Sequence, residues 1–97
     1  KELLINTDHK INKLGTQMLY RLYQGFGYVI YYLGVADDGE IVGLFEKDLS
    51  KSFELLQKVS EKIDAELINF NKMEAKGKDK FYMKIVFKKT LNNLFDF

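Results

Sequence analysis

The stretch from Gln24 to Leu44, QGFGYVIYYLGVADDGEIVGL, sets the tightest limits on the fold. Gly25 stands where a helix ends on its C′ glycine. Tyr28 to Val35 is β-branched and aromatic on both faces, the pattern of a central strand. Ala36-Asp37-Asp38-Gly39 is a turn, because Asp tolerates turn geometry and Gly39 supplies a positive φ. Glu40 to Phe45 then returns as a second strand, with Gly43 marking a bulge or a close backbone approach.

The flanks extend this core. Lys1 to Ile5 is short and apolar and is expected as a leading strand. Asn6, Thr7 and Asp8 are N-cap residues, after which Ile11, Leu14, Met18 and Leu22 recur at helical spacing. That predicts a first helix of about four to five turns. Gly15 within it costs roughly 1 kcal/mol, a cost expected to permit close packing on a sheet. A second helix is predicted over 46–65, with Leu49, Ser52, Phe53, Leu56, Val59 and Ile63 on one face. Glu66 to Met73 is a further strand, Glu74 to Lys80 a polar turn, and Phe81 to Lys88 a strand of strict alternation. Leu91 to Phe97 is apolar and either docks on the domain or leads into the next one. The expected class is α+β. It is a ferredoxin-like β-α-β-β-α-β plan with an extra C-terminal edge strand, and two helices lie on one face of an antiparallel sheet.

Ninety-seven residues suit one domain, expected here as 1–97. The chain opens on Lys, not Met, and is expected to be cut from a longer protein. With no Cys and a single His, His9, thiolate nucleophiles, disulfides and His-rich metal sites are excluded. A net charge of +1 demands no nucleic acid or anionic membrane as partner. No apolar run approaches the ~18 residues of a membrane span. No membrane partner is expected, and the absence of cysteine fits a cytoplasmic location.

No constellation in the chain carries catalysis, and no catalytic, cofactor-binding or metal-binding residue is assigned. Gly25-Phe26-Gly27 follows a helix, whereas a phosphate-binding glycine loop precedes one. Gly77-Lys78 is followed by Asp79, so it is no P-loop. Asp37 and Asp38 are accounted for by the turn. The octamer Gln24 to Tyr31, QGFGYVIY, is close to the RNP1 pattern whose aromatics stack on RNA bases. It stands on the wrong strand, opens on Gln24 where that pattern has a basic residue, and lacks an RNP2 partner. Structural tyrosines in a strand are therefore preferred. Lys76, Lys78, Lys80, Lys84, Lys88 and Lys89 concentrate charge on the last hairpin. They either protect a solvated edge strand from aggregation or contact RNA phosphate. The first five of them are the candidate RNA or partner contacts.

Thr16-Gln17-Met18, Arg21-Leu22, Gly25, Gly27, Ile30-Tyr31, Leu33-Gly34-Val35, Asp37-Asp38-Gly39 and Gly43-Leu44 together form a recognisable order. It resembles the N-terminal region of the GTP-binding protein 1 and 2 family, elongation-factor-like translational GTPases of eukaryotes. Tyr20 stands where that family carries Trp, and Gln24 where it carries Glu. The resemblance implies an accessory domain with no GTP site of its own. GTP and Mg are then expected in a downstream GTPase domain of the parent. It also implies translation or RNA quality control as the setting, with the parent's GTPase domain and the ribosome or tRNA as partners. A shorter segment, Ile30 to Leu44, is similar to a hairpin of the AlbA-type domain in Schlafen-like proteins. That likeness and the RNP1-like octamer give the alternative, a small nucleic-acid-binding module, AlbA/Schlafen-like or RRM-like, with no GTPase connection.

Overall fold

The computed structural model describes residues 2–90, with side chains from residue 9 onward. In chain order the elements are α1 (Glu2–Gln24), β1 (Tyr28–Leu33), β2 (Leu44–Phe45), α2 (Glu46–Lys62), β3 (Glu66–Glu74) and β4 (Lys80–Lys88). All strand pairs are antiparallel. Both helices cover one face of the four-stranded sheet. The α+β class and its ferredoxin-like layering of two helices on an antiparallel sheet are as expected. No described helix is long and apolar enough to cross a membrane. The Leu91–Phe97 stretch lies outside the described residues.

Two particulars are corrected. The leading segment is helical from Glu2, not a strand. The chain has no proline, and no glycine precedes Gly15, so nothing interrupts the helix. Asn6, Thr7 and Asp8 sit inside it, where each costs at most about 0.7 kcal/mol. Second, β4 is not an edge strand: β1 and β2 lie along one side of it and β3 along the other. β1, expected at the centre, is the edge. Among the described residues only one of its faces is covered.

The arm between β1 and β2 explains that swap. β2 does not return along β1. The backbone carbonyl of Gly34 accepts from both Val42 N–H (3.0 Å) and Gly43 N–H (2.8 Å), closing a small loop joined by a Val35–Ile41 bridge. Gly34 and Gly43 have φ of +79° and +81°. A Cβ on Gly43 would sit 2.8 Å from that of Ala75, so both conformation and space demand glycine. After this excursion β2 resumes the line of β1 and pairs with the start of β4 (Leu44 with Phe81, Phe45 with Lys80).

The core lies between the helices and the covered face. Met18 and Leu22 of α1, Leu49, Leu56 and Val59 of α2, Val29 of β1, and Met83, Ile85 and Phe87 of β4 are buried. At Gly15 a Cβ would meet Ile63 Cγ2 at 3.3 Å, so this glycine serves the α1–α2 crossing and not the sheet. The end of α1 also differs from expectation. Gly27 N–H donates to Leu22 O and Phe26 N–H to Tyr23 O, the pairing of a Schellman motif. The left-handed C′ residue is therefore Phe26, with φ +56°, and not Gly25.

Candidate functional site

Alternation along β4 divides its side chains. Phe81, Met83, Ile85 and Phe87 meet the helices, and Lys80, Tyr82, Lys84, Val86 and Lys88 take the opposite face. The strand register then builds that bare face row by row. Tyr28, Lys88 and Glu66 form the first row, Ile30, Val86 and Asn69 the second, and Tyr32, Lys84 and Asn71 the third. Tyr82 and Met73 follow. Neither described helix packs here. Tyr28, Ile30 and Tyr32 are about half exposed, at 48%, 46% and 54%.

Of the five candidate lysines, the structure brings three together. Lys80, Lys84 and Lys88 share the bare face of the central strand. Lys88 Nζ lies 5.7 Å from the Tyr28 ring centre, and Lys80 Nζ lies 5.5 Å from that of Phe45. Lys76 and Lys78 stay exposed in the turn between β3 and β4. Lys89 parts from the group altogether. It is buried, and its Nζ donates to the Ile63 carbonyl at 2.6 Å, capping the C-terminal end of α2. The edge-strand explanation for these lysines fails for Lys84 and Lys88, which stand at the sheet centre.

Beside the face, a cleft of about 570 Å3 runs between β1 and the arm, lined by Arg21, Ile30, Tyr31, Tyr32, Val35, Asp37, Ile41 and Tyr82 among others. The Arg21 guanidinium lies 5.5 Å from the Tyr31 ring centre. Burial raises the Tyr31 phenol above its ordinary 10.0, and the nearby Arg21 charge offsets part of that.

The other candidate groups do structural work. The amides of Gly25, Phe26 and Gly27 all donate to carbonyls of the last turn of α1, so none is left for a phosphate. Asp38 Oδ1 accepts from Glu40 N–H at 3.0 Å within the arm's turn. His9 is exposed on α1. Among the described residues no three His, Cys, Asp or Glu side chains gather into a metal-binding group. Tyr32, Tyr82, Asn69 and Asn71 were not singled out from the sequence. The apolar and aromatic character of β1 on both sides was the signal available for this face, and it reads equally as a strand buried on both sides.

Comparison with known proteins finds a relationship over part of the chain. The chain is 37% identical over 65 residues to GTP-binding protein 2 of human and of mouse. This stretch is related to a GTP-binding protein. It covers 66% of the chain but 11% of the length of each relative. No family model matches the chain. No solved structure matches it.

Proposed function

We propose that this chain is a non-catalytic accessory domain of an elongation-factor-like GTP-binding protein that acts in translation or RNA quality control. The observation that carries the reading is the 37% identity to GTP-binding protein 2, confined to 11% of that protein's length. A shared segment so small is the size of an accessory module and not of a GTPase domain. The local chemistry agrees with it: the chain has no P-loop sequence, and the glycines that come nearest to a phosphate cradle spend their amides closing α1. In this reading GTP and Mg are bound by a downstream domain of the parent. This domain packs on that unit or touches the ribosome or tRNA, in the cytoplasm.

The gene decides the matter first. A P-loop and an NKxD motif encoded after Phe97 are the expected result, and an open reading frame without them overturns the proposal. Calorimetric titration of the 97-residue chain with GTP is expected to give no heat of binding. Micromolar affinity would place a nucleotide site in this domain and refute its accessory role.

A further inference from the structure

We infer that the bare face of the sheet is a binding surface for single-stranded RNA, centred on Tyr28, Tyr32, Lys84 and Lys88, with Asn69 and Asn71 beside them. This goes beyond the relationship to GTP-binding proteins and does not depend on it.

Three observations converge. The first is the pairing of ring and cation. Tyr28 stands across from Lys88 and Tyr32 across from Lys84. The two rows lie four residues apart, about 13 Å along the strand. Single-stranded nucleic acid is held in this way, with bases stacked on aromatic rings and the backbone tracked by cations. Asn69 and Asn71, exposed on β3 in the adjoining positions, present both donors and acceptors to base edges.

The second observation separates RNA from a protein partner. Tyrosine is enriched in both kinds of interface, but lysine is depleted from the core of protein interfaces. Here Lys84 sits on the central strand, flanked by Tyr32 and Asn71, in the middle of the surface. Across the three rows Lys84 and Lys88 face a single carboxylate, Glu66. The acidic residues Asp37, Asp38 and Glu40 belong to the arm, beyond the Tyr32 end. The surface is therefore complementary to phosphate where the tyrosines are.

The third is strain. Phe26, two residues before β1, is 78% exposed and holds φ at +56°. Glycine is the cheap residue at a C′ position, and a bulky side chain there costs about 1–2 kcal/mol. An exposed ring is thus kept at such a cost where the chain enters β1, two residues before Tyr28.

The test uses the 97-residue chain and a fluorescently labelled single-stranded RNA of mixed sequence, about one OB-fold site of 4–16 nucleotides long. Anisotropy is read at low and moderate salt. Binding is expected at low salt. With one phosphate neutralised by each of Lys80, Lys84 and Lys88, affinity falls about 20-fold for a fourfold rise in salt. Y28A and Y32A each weaken binding by roughly 5- to 150-fold, whereas Y28F and Y32F retain it. K84E and K88E reduce affinity and flatten the salt dependence. Circular dichroism and a melting curve confirm that each variant is folded, and the phenylalanine variants guard against mere unfolding. The same sequence as a duplex binds more weakly. Absence of binding at low salt overturns the proposal. So does a folded Y28A/Y32A double variant that binds as the parent does, which would leave only lysine electrostatics. Self-association through the face, abolished by Y32A and unaffected by RNA, assigns it to protein contact instead and also overturns it.

Discussion

The two faces of β1 carry much the same chemistry and meet opposite fates. Val29, Tyr31 and Leu33 turn toward the helices and join or adjoin the core. Tyr28, Ile30 and Tyr32, one residue out of phase, remain about half exposed. Nothing in the side chains of these two sets separates them. Position separates them, because among the described residues a sheet three strands wide with both helices on one side leaves its other side open. Apolar groups in the covered set therefore stabilise the fold, and those in the bare set are available for binding.

That contrast is open to direct test. The largest effect is expected from Phe87→Ala. Phe87 is fully buried, and truncation there should cost about 3–5 kcal/mol. Such a loss approaches the whole stability of a small domain, so urea unfolding should show a variant unfolded or nearly so. A stable F87A would mean that the covered face is not the core. Next come the neighbours Lys89 and Lys88. Lys89→Ala removes a charged donor from the part-buried Ile63 carbonyl, at a cost of about 1.5–3 kcal/mol. Lys88→Ala loses only a surface contact with the Tyr28 ring, worth about 0.5–1 kcal/mol. Equal effects in denaturant titrations would erase the distinction between the faces.

Tyr31 supplies a pH readout of the covered side. Its folded pKa is raised above 10.0 by burial, so the unfolded chain loses the proton first. The stability linked to this group is complete below pH 10 and is lost as pH rises from there through the folded value. Tyr31→Phe should remove that part of the alkaline loss, seen as a smaller drop in the urea midpoint above pH 10.0. An unchanged alkaline profile would contradict the burial of this ring. The smallest effect is expected from Ile30→Ala, in the middle of the bare face. Its cost should stay within about 0.5 kcal/mol, as for other exposed positions. A loss comparable to that at a core position would show that the face is covered in solution, for instance by a second copy.

Much of this was legible in advance. The helical spacing of Ile11, Leu14, Met18 and Leu22, and the alternation from Phe81 to Phe87, led to elements that are present. The candidate lysines were legible as a charged cluster but not as a surface. Residues 76 to 89 carry six lysines, and only pairing with β1 and β3 sorted them. Two went to a turn, three to the open face and one to a helix cap. The leading strand was misread because five apolar and charged residues fit either period, and the N-cap residues after them offered a boundary the helix did not need.

The sequence by itself determined most of the local elements and the apolar positions along α1, α2 and β4. Periodicity and residue type act over a few neighbours, and those properties depend on nothing more distant. Which strand is central, which face of β1 is bare, and where Lys84, Lys88 and Lys89 point were decided only by tertiary structure. Each depends on pairing between segments tens of residues apart, and a strand's own sequence is nearly silent about its partners.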